Sequence, residues 1–150
     1  MVRLERGELR PAVELERFIA SLAGDGAVVS FVGLARPADA AGKAVTGLFL
    51  DAYPGMTEAS LETIAADARA RFAVSAVAIV HRCGAVAAGA PIVFAAVASP
   101  HRRAAFEATD YLMDRLKTDA AFWKREDGLD GSAWIEPRES DRADRARWSD

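Results

Sequence analysis

The amino-acid sequence predicts an α+β fold in a single domain over residues 1–150, with a mainly antiparallel sheet covered by helices on one face. Short apolar runs of strand length are interleaved with amphipathic helical stripes, without the strict strand–helix–strand repetition of a parallel sheet. The length, 150 residues, suits one core that needs neither metal nor disulfide. No linker or internal repeat divides the chain.

Leu15, Phe18, Ile19 and Leu22 recur at helical spacing after Pro11, and Gly24-Asp25-Gly26 ends this first helix. Ala27 to Val32 is β-rich and almost wholly apolar, so it reads as a buried strand ending at Gly33. Leu34-Ala35-Arg36-Pro37 and a small-residue loop lead to Lys43. Val45 to Tyr53 is a second strand, closed by the turn pair Pro54-Gly55. Thr57 is placed to cap a helix whose stripe is Leu61, Ile64, Ala65, Ala68 and Phe72, with Glu58 at the positive end of its dipole. Val74 to His81 is a third strand, Gly84 to Gly89 a small-residue connection, and Pro91 to Ala98 a fourth strand.

Ser99-Pro100 supplies a hydroxyl cap and a proline at the first helical position. The helix runs to about Lys117, with Ala105, Ala108, Thr109, Leu112 and Leu116 inward and Glu107, Asp110, Asp114 and Arg115 in solvent. Gly128 and Gly131 bracket a turn, and Trp134-Ile135-Glu136 adds an edge strand. From about Glu139 charges alternate densely, which predicts a solvated tail, partly mobile until Trp148.

A formal charge of -3 argues against a general nucleic-acid or membrane-surface binder. No apolar run approaches the ~20 residues that span a bilayer, and the N-terminus lacks the apolar centre of a signal peptide. With one cysteine, Cys83, and two histidines, an internal disulfide is excluded and a Cys/His zinc site is not expected. A reducing cytoplasm fits best. Phosphate-binding glycine loops and nucleophile elbows are absent.

What remains is positive charge in particular places. His101, Arg102 and Arg103 occupy the first turn of a helix, where cations oppose the dipole, yet where free N–H groups welcome an anion. Arg36 follows a strand end. Lys117 and Lys124 stand seven residues apart around Phe122-Trp123, which are either core anchors or the walls of an apolar pocket that lowers a lysine pKa. Sixteen residues of helix separate His101 from Lys117, roughly 24 Å, so no small molecule touches both in one subunit. Either there are two anion sites, or one chain's His101 and Arg102 meet another chain's lysines across a dimer; the second is favoured.

The residues in Gly26 to Gly33 with Arg36, Tyr53-Pro54-Gly55-Met56, Val80-His81-Arg82, Ser99-Pro100-His101-Arg102 with Ala105-Phe106, and Lys117-Thr118 through Phe122 to Glu126 form five ordered blocks. Together they resemble the family of large, catalytic subunits of molybdopterin synthase, over most of the chain from Gly26 to Trp148. The resemblance implies an α/β hammerhead-like fold and a sulfurtransferase that converts cyclic pyranopterin monophosphate to molybdopterin. It implies Lys117 as the principal catalytic lysine and Lys124 as its partner. Arg36, His101 and Arg102 would hold the substrate, with Leu34 to Arg36 (Leu34, Ala35, Arg36) and Lys124 to Glu126 (Lys124, Arg125, Glu126) lining the pocket.

It further implies a homodimer within a heterotetramer, and a small ubiquitin-like sulfur-carrier subunit whose C-terminal Gly-Gly thiocarboxylate enters the site and supplies two sulfurs in succession. Sulfur arriving on a partner needs no cysteine here, and no cofactor is expected. The family often has lysine where this chain has Leu34, which removes one cation. The rival readings are a non-catalytic anion-binding or scaffold protein of the same fold and, disfavoured by net charge, a small RNA-binding domain.

Overall fold

The computed structural model describes residues 1–149. Its elements in order are β1 Val2–Glu5, α1 Pro11–Ala20, β2 Ala27–Leu34, β3 Val45–Ala52, α2 Met56–Arg71, β4 Ala76–Arg82, β5 Gly84–Ala87, β6 Pro91–Ser99, α3 Arg102–Thr118, β7 Phe122–Gly128, β8 Gly131–Ile135 and α4 Glu139–Ala146. The strands form two four-stranded sheets, ordered β1-β4-β6-β2 and β5-β3-β7-β8. Among the described residues only β1 and β4 pair in parallel; the rest is antiparallel.

The α+β class and its antiparallel character therefore stand, while the expected single covered face does not. β6 is buried on both sides. Val93, Ala95 and Val97 face α2 and α3, and Phe94, Ala96 and Ala98 face Phe18 of α1. Alternating side chains of one apolar run thus enter two different cores, with α1 on the face opposite the other helices.

Several local expectations are corrected. β2 is an edge strand, half-exposed rather than buried, because it pairs with β6 alone. An apolar run looks the same at the centre of a sheet and at its rim. Gly84 to Ala87 is a strand against β3 rather than a connection, and β1 was not anticipated at all. Ser99 ends β6 and α3 begins at Arg102 with His101 at its N-cap; the Ser99 hydroxyl accepts the His101 N–H at 3.1 Å and donates to the Ala73 carbonyl at 2.9 Å.

The charged tail folds as α4 and docks. Trp148 stands edge-on to Phe72 and Tyr111, and its indole N–H donates to Asp114 at 2.6 Å, while Arg147 reaches Asp114 at 2.7 Å. Arg115, expected in solvent, is largely covered and pairs with Asp67 and Asp119.

Thr57 is not the cap of α2 but lies inside its first turn, wholly buried. Gly55 holds the cap position with φ 80°, a conformation that suits glycine, and the Glu58 carboxylate accepts its N–H at 2.9 Å. Freed from capping, the Thr57 hydroxyl accepts the Tyr53 N–H at 2.8 Å and donates to the Ala121 carbonyl at 2.7 Å. Ser60 accepts the Ala121 N–H at 3.0 Å. Both backbone groups of Ala121, in the link between α3 and β7, are therefore held by α2. Thr57→Val is expected to cost about 1–3 kcal/mol, read as a lower Tm, because it strands Ala121 and Tyr53 without partners.

Candidate active site

The link at Ala121 decides where the two lysines go. Lys117 projects from the last turn of α3, and Lys124 comes three residues after Ala121, on β7 rather than on a continued helix. Along β7 the side chains alternate, so Phe122, Lys124 and Glu126 face a cavity of about 380 Å³ while Arg125 points to the other side. Leu34, Arg36, Leu48, Leu50, Ile92, Lys117 and Thr118 complete its inner wall. The cavity thus lies between the rims of the two sheets and the end of α3.

The ladder places Lys124 opposite Leu50 on one side and Ile135 on the other. Burial among apolar neighbours, and after it the charge of Lys117, push its ammonium pKa down to about 8, with Asp141 acting in the opposite direction. Phe122 stacks on the buried ring of His81 at 4.2 Å, and the His81 Nδ1 lies 2.8 Å from the Arg82 carbonyl, to which it donates. Desolvation drives the His81 pKa down to about 4, against the Arg82 carbonyl and with help from Lys124 and Lys117. At neutral pH His81 is uncharged, and the positive charge of the cavity belongs to its lysines and arginines.

The structure brings Leu34, Arg36, Lys117, Lys124 and Glu126 together and leaves four sequence-proposed residues outside. Ala35 is buried, its N–H bonded to the Ala90 carbonyl at 2.9 Å and its carbonyl to the Gly89 N–H at 2.7 Å, so it fixes the backbone between its neighbours. Arg125 pairs with Asp127 at 2.7 Å and lies over the rings of Phe49 and Trp134. His101 and Arg102 line a separate concavity of about 690 Å³ with Gly26, Ala27 and Phe106.

One cavity residue was missed. Arg138, at the N-cap of α4, lines the outer wall with Glu136 and Asp141, and among the described residues its guanidinium has no ion-pair partner. Its only sequence signal was a position before Glu-Ser-Asp, where Asp141 accepts the Arg138 N–H and starts the helix. Arginines elsewhere are mostly paired, among them Arg3, Arg17, Arg115, Arg145 and Arg147.

Unpaired cations converging on a partly apolar cavity define an enzyme-type site for a small anionic ligand. The chain belongs to the MoaE protein family, whose model matches residues 6–119. It is 49 % identical over 148 residues to the molybdopterin synthase catalytic subunit of Caulobacter vibrioides, covering 99 % of this chain and 97 % of the relative. To the subunit of that name from Pseudomonas aeruginosa it is 46 % identical, covering 99 % of each. Among solved structures, the molybdopterin biosynthesis MoaE protein of Burkholderia ambifaria superposes with a TM-score of 0.84 at 38 % identity, covering 100 % and 98 %. Molybdopterin synthase from Staphylococcus aureus gives 0.79 at 31 % identity, covering 88 % of this chain and 94 % of the other.

Two outcomes follow from this geometry. A buried ammonium with a pKa near 8 costs stability at neutral pH, so Lys124→Met is expected to raise the unfolding free energy at pH 7 by roughly 2–3 kcal/mol. Because the folded pKa lies below the unfolded one, the parent gains stability as pH rises from about 8 to 10.5, and paired denaturant titrations should show the gap between the two proteins closing over that window. Arg138→Ala is expected to raise KM for an anionic substrate about tenfold, the equivalent of one lost charge-assisted contact, with Tm unchanged.

Proposed function

We propose that this chain is the catalytic subunit of a molybdopterin synthase, a cytoplasmic sulfurtransferase that converts cyclic pyranopterin monophosphate to molybdopterin. The observation that carries the reading is the cavity in which Lys117, Lys124 and Arg36 converge, together with the names of the relatives matched over the whole chain. A small sulfur-carrier subunit inserts its C-terminal Gly-Gly thiocarboxylate, and two large subunits pair at the centre of a heterotetramer. No helix among the described residues is long and apolar enough to cross a membrane.

The residues divide the work by their chemistry. Arg36 and Arg138 hold the phosphate and the carrier's terminal anion. Each sulfur forms a C–S bond to the pterin side chain as a C–O bond there breaks, one oxygen leaving with the phosphate when the ring opens and the other as water, and a further water cleaves the carrier's acyl–sulfur bond, returning the tail as a carboxylate. Lys117 and Lys124 stabilise negative charge as the cyclic phosphate opens. A lysine poised near pH 8 also exchanges protons readily at neutral pH, which suits Lys124 to a general acid–base role beside the exposed Lys117. His101 and Arg102 join from the second large subunit, since α3 holds them too far from Lys117 in their own.

Mixing the purified chain with thiocarboxylated carrier and cyclic pyranopterin monophosphate is expected to yield molybdopterin by mass. Lys117→Ala should lower that rate at least a hundredfold while carrier binding persists; unchanged turnover would remove Lys117 from the mechanism. Co-folding Lys117→Ala with Arg102→Ala chains at equal amounts should restore about a quarter of parent activity, because half the dimers then contain one intact shared site. Recovery no greater than the sum of the two single variants would confine each site to one chain.

A further inference from the structure

The block Val80-His81-Arg82 contains a histidine that is only 4 % exposed and that the chemistry of the site has left without a task. His81 stands one residue before the end of β4, paired with Leu4 of β1 on one side and Val93 of β6 on the other, so the first sheet holds its backbone from both flanks. Its side chain reaches out of that sheet and stacks on Phe122, with 4.2 Å between ring centres and 26° between planes. Phe122 belongs to the second sheet and lines the lysine cavity, two residues before Lys124 on the same face of β7. The stack therefore joins the frame of one sheet to the cavity wall of the other.

Within its own sheet the Phe122 ring has little to rest on. Across the ladder it faces Ala52 of β3, whose methyl group cannot brace a ring, and the pairing with β8 begins only at Lys124. Leu50 and Ile135, the other apolar neighbours of Lys124, are fixed by direct pairing with it. Phe122 touches the margins of two apolar cores, yet among the described residues His81 alone meets its ring face to face. The His81 ring is itself pinned, because its Nδ1 donates to the Arg82 carbonyl at 2.8 Å. Burial keeps it uncharged at neutral pH, so it offers Phe122 a flat apolar face and adds no third cation beside Lys117 and Lys124.

We propose that His81 is a positioning residue for Lys124: its ring, pinned to the Arg82 carbonyl, backs Phe122 and so fixes the dry wall against which the Lys124 side chain is held. It acts through Phe122 and touches no substrate. Without the backing ring Phe122 turns, water reaches the Lys124 ammonium, and the amine loses both its fixed place and the desolvation that lowers its proton affinity. The ring is the active part in this, whereas the hydrogen bond to Arg82 serves stability. That Lys124 works in sulfur transfer rests on the proposed function; the positioning itself rests on the stack.

Two substitutions separate the ring from the hydrogen bond. His81→Asn places an amide N–H close to where Nδ1 stands and removes the ring; His81→Phe keeps a ring and removes the donor. The charged groups that share the cavity with Lys124, namely Lys117, Arg36, Glu126, Glu136, Arg138 and Asp141, are the same in both. Isotope-edited NMR of the lysine side chains, with the Lys124 signal assigned by its loss in Lys124→Met, is expected to give a midpoint of about 8 in the parent. In His81→Asn that midpoint should rise by about one unit or more, with kcat at least about tenfold lower and KM within about twofold, since Arg36 and Arg138 still hold the anion. His81→Phe should keep the parent's midpoint and kcat with a lower Tm. His81→Val, apolar and suited to a strand, replaces His81→Asn if that variant does not fold. An unshifted midpoint in the ringless variants, an equal shift in His81→Phe, or a parent Lys124 that titrates near its ordinary value of 10.5 overturns the proposal. A parent that makes no molybdopterin while the ringless variants show the shift upholds the positioning and counts against the functional reading instead.

Discussion

Two side-chain hydroxyls on one turn of α2 hold the link on which the site depends. Thr57 and Ser60 take up the carbonyl and the N–H of Ala121, leaving the chain no freedom between the end of α3 and the start of β7. The ladder with β3 sets the direction of β7, and this anchor fixes where the chain enters it after α3. With it, Lys124 and Lys117 face one cavity although they sit on different kinds of element. Thr57 is buried to do this, which is tolerable only because its hydroxyl both donates and accepts.

The second constraint is charge. Many arginines of this chain lie against carboxylates, among them Arg145 and Arg147, which tie α4 to the end and the outer face of α3. The cations at the cavity are different: Arg36, Lys117, Lys124 and Arg138 have no carboxylate partner among the described residues. Holding Lys124 among Leu50, Ile135 and Phe122 costs stability that the fold must make up elsewhere. A site built for an anion carries such a cost until the ligand arrives, and the depressed pKa of Lys124 is its measure.

Much of the fold was legible because local pattern and tertiary role agreed. The stripe Ala105, Ala108, Thr109, Leu112 and Leu116 is buried as its spacing requires, and β3 and β6 fall within a residue of their expected limits. The misses have physical causes. β1 is four residues with two charges, and its strand character comes from the β4 edge it joins. β5 is built of glycine, alanine and valine, whose small side chains allow the close approach to β3 that also requires Gly47; a Cβ there would meet the Val86 carbonyl at 2.8 Å. The tail after Glu139 looked solvated because its charges are dense, yet their partners lie on α3 more than thirty residues earlier.

For the site, residue types were readable and their meeting was not. The sequence by itself determined that this chain cannot form an internal disulfide, and it placed cations at helix and strand ends as the candidates for its chemistry. Its blocks also carried the family. Only the tertiary structure decided that Arg138 belongs at the cavity, that Arg125 turns away from it, and that β2 is an edge. Those outcomes depend on strand alternation, on which neighbour lies across a ladder, and on long-range partners such as Ala121 and Thr57. None of these is a property of a local window of sequence.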